Sequence, residues 1–328
     1  MKKASSLLLL LLSSISVLIV PATGCINNEP ETVTLTETYI KTVTTTSIIT
    51  TTVEKVTIID DLGREVTIEG TPSRIVSLAP SNTEILFALG LGDKVFGVTE
   101  YCNYPEEASA KEKVGGYSGV DMEKVVAINP DLILAEDLHK QEVIPALEQL
   151  GFTVIALVPH NLQEVMDSIT LIGTITGAEA AASQIVDDIS QRIKAITDVT
   201  DGLTEEDKVK VLYVIWHEPI MSVGTDTRIH ELIEKAGGIN IAEVAGEGYP
   251  TLALEEIVSI NPQVIIVNDD ISLQSILNET RLSEVDAIVN GMVYGINADL
   301  TNRPTARIIE GLELMAKMIH PELFGSIE

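Results

Sequence analysis

The sequence predicts an α/β protein of two similar lobes with parallel sheets, joined by one long rigid α-helix, with a ligand cleft between the lobes. Short β-branched runs alternate with helical runs in two successive series, and strand–helix–strand order favours parallel pairing. Between the series, residues 161–197 contain no proline and keep apolar residues at helical spacing. These two patterns give a first lobe at 58–159, an interlobe helix at 160–200 and a second lobe at 201–328.

The first series consists of the strand-like runs "RIVSLA", "KVFGV", "DLILA" and "TVIALV", separated by helical runs. Ser81 is followed three residues later by Glu84, which is the spacing of a capping box and predicts a helix of about ten residues. The second series has the same order, from "KVKVLYVIW" through "TRIHELIEKAGG" and "EEIVSINPQVIIVND" to "GMVYGI".

A local repeat links the two lobes. Residues 120–138, "VDMEKVVAINPDLILAEDL", match residues 252–270, "LALEEIVSINPQVIIVNDD", with Glu123 and Glu255 in equivalent places. Each copy has a Glu at the start of a helix, an Ile-Asn-Pro stop and an apolar strand. Duplication of one lobe explains this repeat, and chance recurrence of a helix–Asn-Pro–strand junction is the alternative.

The N-terminal residues have the layout of an exported protein. Lys2 and Lys3 precede an uncharged apolar run, which is followed by "PATGC", so residues 1–24 are predicted to be a signal peptide. The pattern resembles a lipoprotein signal, in which Cys25 is acylated and anchors the chain to the outer face of the cytoplasmic membrane; an ordinary secretory signal is the alternative. Residues 25–57 are rich in threonine and are predicted to be a tether rather than a folded element.

Composition excludes several classes of function. The 328 residues include 49 Asp or Glu and 21 Lys or Arg, a net charge of −28, which disfavours nucleic acid as a partner. The two cysteines, Cys25 and Cys102, form no disulfide framework and no zinc-ligand spacing. Nucleophile elbows, phosphate-binding loops and metal-binding histidine motifs are missing from the sequence, so we assign no catalytic and no metal residue and predict that the protein is not an enzyme.

Aromatic residues are sparse, at 4% of the chain, yet several fall in loops next to predicted strands. These residues are Tyr101, Tyr104, Tyr117, Trp216 and Tyr249. Loops at the carboxyl ends of parallel strands face ligands, and Tyr and Trp offer flat apolar area with a polar group. The pattern predicts a pocket for a large planar ligand.

Residues 58–328 resemble the substrate-binding proteins of ABC importers for vitamin B12, haem and iron-siderophores. The resemblance rests on "DDLGREVTIEGTPSRIVSLAPSNTEILFALGLGDKVFGVTEYCNYPEEA" and "VGGYSGVDMEKVVAINPDLILA", and it is strongest to the cobalamin-binding members. It implies that the ligand-binding residues are Tyr101, Tyr117, Trp216, Tyr249 and Asp299. Arg303, with Arg307, is a further candidate, because a guanidinium would neutralise an anionic iron chelate. Tyr117 and Tyr249 stand where those members have Trp, and Glu136 stands where a further Trp is expected, which leaves the ligand open between cobalamin and an iron-siderophore or haem.

The same resemblance implies that Glu123 and Glu255 dock to arginines of a permease. Charge-assisted carboxylate–guanidinium pairs suit this role, whereas compensation of the helix dipole is a simpler explanation of the same residues. The implied partners are permease subunits with their ATPase, for a monomeric receptor without a cofactor of its own. An adhesin or stalk protein, suggested by the threonine-rich segment, and an extracellular hydrolase remain the alternatives from other classes.

Overall fold

The computed structural model describes residues 32–38, 44–50 and 55–327. The predicted signal peptide and Cys25, the predicted acylation site, lie outside the described residues. Within the threonine-rich segment, strands β1 (Thr32–Thr38) and β2 (Thr44–Thr50) pair antiparallel, where we expected a tether without folded elements. Alternation of threonine with apolar residues favours strands, and here that preference was underestimated.

From Thr57 onward the chain forms one compact unit. It begins with a hairpin of β3 (Lys55–Ile59) and β4 (Glu65–Glu69), which the sequence analysis did not identify. The turn between these strands is held by the buried carboxylate of Asp60, which accepts hydrogen bonds from the backbone N–H groups of Leu62, Arg64 and Ala156. The Arg64 guanidinium also donates to Asp60, so this one carboxylate joins the hairpin to the following lobe.

The first lobe contains, within the described chain, a sheet of five parallel strands in the order β7-β6-β5-β8-β9. Its strands are β5 (Ile75–Ser77), β6 (Val95–Val98), β7 (Glu112–Lys113), β8 (Leu132–Ala135) and β9 (Val154–Ala156). Its helices are α1 (Pro80–Ala88), α2 (Glu106–Ser109), α3 (Met122–Ile128) and α4 (Val143–Gln149). Every residue of β8 is buried, as expected for a strand covered on both faces.

The connector between the lobes differs from the predicted single helix. It consists of α5 (Leu162–Thr176) and α6 (Glu179–Thr200), which pack against each other. Gly177 has a φ of 72°, a left-handed conformation that ends α5 and that glycine adopts without steric cost. Helix α5 contacts α1 of the first lobe, and α6 leads into the second lobe.

The second lobe has a sheet whose described strands run parallel in the order β13-β10-β14-β15. The strands are β10 (Val209–Val214), β11 (Trp216–His217), β12 (Ile220–Met221), β13 (Gly238–Asn240), β14 (Val264–Asn268) and β15 (Val293–Ile296), of which β11 and β12 form a separate antiparallel pair. The helices are α7 (Arg228–Lys235), α8 (Leu254–Ile260), α9 (Leu273–Leu277), α10 (Asp286–Val289), α11 (Asp299–Asn302), α12 (Ile308–Ile319) and α13 (Pro321–Phe324).

The two sheets share one connectivity. In each, the first strand of the series (β5 or β10) lies inside the sheet, the next parallel strand adds on one side, and the last two add on the other; β7 extends the first sheet beyond β6. The repeated segments match in detail, because α3 and α8 each have seven residues and end at Asn129 and Asn261, with φ of 52° and 55°. The predicted two-lobed α/β fold is therefore confirmed, whereas the exact lobe boundaries stay predictions.

No helix in the described part of the chain combines the length and the apolar character needed to cross a membrane.

We predict that Asp60→Asn destabilises the protein in a pH-dependent way. Burial raises the pKa of Asp60, but the hydrogen bonds from Arg64 and from the Ala156 N–H outweigh it and lower the pKa below its ordinary value. The stabilisation is therefore present above the unfolded pKa of about 4 and is lost as the pH falls through the lower folded pKa. At pH 7 the free energy of unfolding in urea should fall by about 2 kcal/mol.

The matched control is Asp61→Asn. Burial raises the pKa of Asp61, so loss of its charge should not reproduce that pH dependence. An Asp60→Asn deficit of the same size at pH 3 and pH 7 would contradict the prediction.

Candidate functional site

A cavity of about 810 Å³ lies between the two sheets of the compact unit. Each strand of the first lobe's sheet is followed, at its carboxyl end, by a residue that lines this cavity: Ser81 in α1 after β5, Tyr101 after β6, Tyr117 after β7, Glu136 after β8 and His160 after β9. Carboxyl ends of parallel strands lie at one edge of a sheet, where ligands bind in open α/β folds.

The opposite wall comes from the second lobe. Asp270 follows β14, Asp299 and Arg303 follow β15, and Arg228 is the first residue of α7. The cavity volume is at the large end of the usual range of about 300–1,000 Å³ for small-molecule sites. Two facing walls built from loops of both lobes give the geometry of a ligand cleft.

Four of the six predicted ligand-binding residues, Tyr101, Tyr117, Asp299 and Arg303, line this one cavity. Tyr249 lines an adjoining cavity of about 300 Å³, which Arg228 also borders. Trp216 lies in β11 outside the linings of both cavities, with its indole N–H donating to the carbonyl of Glu218.

Tyr117 is held by a network on the first lobe's wall. Its hydroxyl donates to Glu136, whose other carboxylate oxygen accepts a hydrogen bond from Ser81 at 2.6 Å. The buried His139 accepts from the Glu136 backbone N–H through Nδ1, so its Nε2 carries the proton and donates to the Tyr117 carbonyl at 2.9 Å. Burial and the Glu136 charge raise the pKa of Tyr117, which therefore stays a neutral donor.

The loop that carries Tyr117 requires glycine at its base. Gly115 has a φ of 105°, and a Cβ atom there would lie 2.4 Å from the carbonyl oxygen of Gly119. Gly116 N–H donates to that same carbonyl at 3.0 Å and closes the loop. The "GGYSG" sequence thus allows the tight turn that points Tyr117 toward the cleft.

Arg228 is a site residue that the sequence analysis missed. Its guanidinium donates to the carbonyls of Pro159 and Asn302, and its burial lowers the pKa of the group from the usual value. An arginine at the first position of a helix opposes the helix dipole, and this unfavourable placement was the available signal.

Ser81 and Glu84 do not form the predicted capping box. Helix α1 begins at Pro80 without a side-chain cap, and the Ser81 hydroxyl bonds to Glu136 instead. Glu84 is 2% exposed and accepts hydrogen bonds from Arg303 at 2.8 Å and Arg307 at 3.4 Å. Burial raises the pKa of Glu84, and the two arginines oppose that rise.

The predicted docking residues, Glu123 and Glu255, occupy equivalent exposed positions in the first turns of α3 and α8. Both side chains are exposed, and Glu255, after Glu279, contributes to the raised pKa of Arg281. The geometry leaves both carboxylates accessible to a partner.

A family model described as periplasmic binding protein matches residues 75–300. The chain is 36% identical over 272 residues to an uncharacterized ABC transporter substrate-binding lipoprotein of Bacillus subtilis, covering 81% of this chain and 86% of that protein. The crystal structure of the vitamin B12 binding protein of Vibrio cholerae is similar, with a TM-score of 0.65 and 29% identity over 76% of this chain and 96% of that chain. A possible iron-binding protein of Staphylococcus epidermidis matches with a TM-score of 0.67 and 26% identity, over 76% and 99% of the two chains.

We predict that Tyr117→Phe lowers the free energy of unfolding by about 1.5–3 kcal/mol, because it removes a hydrogen bond to a charged, partly buried carboxylate. Tyr104→Phe is the matched control, since within the described residues the Tyr104 hydroxyl makes no hydrogen bond and its ring stacks on Arg307. Urea unfolding at pH 7 measures both variants. Equal effects of the two substitutions would refute the role of the Tyr117–Glu136 contact.

Proposed function

The chain belongs to the periplasmic binding protein family, and from that premise we propose that it captures cobalamin outside the cytoplasmic membrane and delivers it to an ABC importer. The match to the substrate-binding lipoprotein covers most of both chains and supports a solute receptor rather than an enzyme. The cleft between the lobes is the binding site in this proposal.

The charge of the cleft carries the choice of ligand. Its described lining contains four carboxylates, Glu136, Asp137, Asp270 and Asp299, and two guanidinium groups, Arg228 and Arg303. Arg303 is already paired with Glu84 and Asp299. A net negative wall repels the carboxylates of haem and anionic ferric chelates, whereas carboxylates accept hydrogen bonds from the neutral amide groups around a corrin ring.

An iron-siderophore or haem is the second candidate. Arg228 favours it, because this guanidinium borders both cavities and, in the described chain, has only carbonyl oxygens as hydrogen-bond acceptors. The similarity to a possible iron-binding protein supports the same alternative. Arg228 alone supports an anionic ligand less strongly than the four carboxylates of the lining oppose one. Cobalamin therefore remains the leading ligand.

In this proposal the receptor acts as a monomer, and a lipid on Cys25 together with the threonine-rich segment keeps it at the membrane surface. Glu123 and Glu255 dock to permease arginines, one from each lobe. Their equivalent places in duplicated helices support this assignment, because two carboxylates on a stiff frame define the spacing of the partner's arginines.

The decisive experiment is calorimetric titration of the purified protein with cyanocobalamin, haemin and an anionic ferric catecholate chelate in parallel. We expect saturable one-to-one binding of cyanocobalamin alone. Tyr117→Ala should weaken that binding about tenfold. It removes the aromatic contact with the ligand and the hydrogen bond to Glu136 that positions the ring, a loss worth about 1.4 kcal/mol.

Saturable binding of haemin or the ferric chelate without cyanocobalamin would overturn the choice of ligand and keep the family. Phe324→Ala, on helix α13 away from the cleft, is the control for the aromatic substitution and should leave the affinity unchanged.

We predict that the double variant Glu123→Ala and Glu255→Ala keeps its ligand affinity but stimulates the ATPase of the reconstituted importer at least tenfold less. Ligand affinity is kept because both carboxylates lie outside the cleft lining. Stimulation falls because the two charge-assisted pairs with the permease arginines are lost. The control is Glu107→Ala with Glu256→Ala, which removes one exposed acid from each lobe. A fall in ligand affinity in the docking variant would disprove the assignment.

A further inference from the structure

A cluster of charged side chains joins the lobes at one side of the cleft. Glu84 on α1 of the first lobe is 2% exposed, and both of its carboxylate oxygens accept hydrogen bonds from arginines of the second lobe. Arg303 Nη1 reaches one oxygen at 2.8 Å, and Arg307 Nη1 reaches the other at 3.4 Å. The two arginines are 14% and 17% exposed, so solvent screens these contacts little.

Each arginine makes a second contact with the first lobe. Arg303 Nη1 also donates to the side-chain oxygen of Asn103 at 2.8 Å. The Arg307 guanidinium lies 3.8 Å from the centre of the Tyr104 ring, which is cation–π geometry. The loop that carries both arginines is therefore fixed to α1 and to the 103–104 loop at several points.

The cluster lies between two cavities. Arg303 borders the ligand cleft, whereas Glu84, Tyr104 and Arg307 border a separate cavity of about 260 Å³. On the cleft side, Arg303 Nη2 pairs with Asp299 at 2.8 Å, so the position of this predicted ligand contact depends on the cluster.

We propose that Glu84 is a positioning residue, which holds α11 and the following 303–307 loop of the second lobe against the first lobe and so sets the width of the cleft before ligand arrives. Arg303 then acts mainly as an anchor between the lobes, and Asp299 is the group that it presents to the ligand. A planar guanidinium that bridges Glu84, Asn103 and Asp299 fixes direction as well as distance, which a single point charge does not.

The same cluster fixes the separation of the docking carboxylates. Glu123 and Glu255 lie on different lobes, and a fixed angle between the lobes holds their spacing constant. The role assigned to Glu84 rests on the proposed function of ligand capture, whereas the spacing is measurable in the protein without ligand, so the two proposals can fail separately.

The test uses pulsed electron paramagnetic resonance to measure the distance between spin labels on the two lobes. Ala127→Cys and Ser259→Cys place the labels on exposed, equivalent positions of α3 and α8, in a Cys25→Ser background. The buried Cys102, 1% exposed, stays unlabelled. Without ligand, we expect one narrow distance distribution, and Glu84→Gln should at least double its width.

Glu148→Gln is the matched control, because it neutralises a carboxylate that pairs with Arg64 inside the first lobe, and the distribution should stay narrow. Arg303→Lys is the second test variant in case Glu84→Gln fails to fold. It keeps the charge but loses the planar bridge, and the distribution should broaden as well.

A narrow, unshifted distribution in the folded test variants would overturn the proposal. That result, combined with a lower melting temperature, would make Glu84 a residue of stability alone. Broadening in Glu148→Gln as large as in Glu84→Gln would also overturn it, because the effect would then not depend on the contact between the lobes.

Discussion

Each strand in the two main sheets hydrogen-bonds to neighbours that run in its own direction, and all the strands of a sheet therefore end at one edge. The segments that follow these edges carry Tyr101, Tyr117, Glu136 and Asp299, residues that lie far apart in the sequence. Parallel pairing needs a crossover helix for each strand, and those helices cover the buried strands. The binding cleft, the buried core and the duplicated order of elements thus follow from one backbone arrangement.

Local patterns were sufficient to predict the lobes, the main helices and the cleft. Asn129 and Asn261 could be identified as helix stops because their chemistry acts within a few residues. The capping box predicted from Ser81 and Glu84 was wrong, because the same spacing also occurs where a side chain makes a long-range contact. The arginines that pair with Glu84 lie more than 200 residues away in sequence. Strand β7 has two residues and carries too little periodicity to be recognised.

The first lobe's wall shows why substitutions at a binding site must be considered together. Tyr117 and Glu136 each stand where the family resemblance led us to expect Trp, and in the fold the two side chains hydrogen-bond to each other. In place of the two stacking surfaces that we expected, the wall has a polar unit whose geometry Ser81 and His139 fix. Such a wall offers hydrogen-bonding groups at defined points, where two indoles would offer mainly area.

The Asn-Pro stops at the ends of α3 and α8 also affect how the protein ages. Asparagine deamidates when the next residue's backbone nitrogen attacks the side-chain amide, and proline has no N–H to do so. Asn129 and Asn261 each precede a proline, so these two left-handed asparagines resist this reaction. These two helix ends are therefore chemically durable, which matters for an extracytoplasmic protein because the repair systems of the cytoplasm do not reach it.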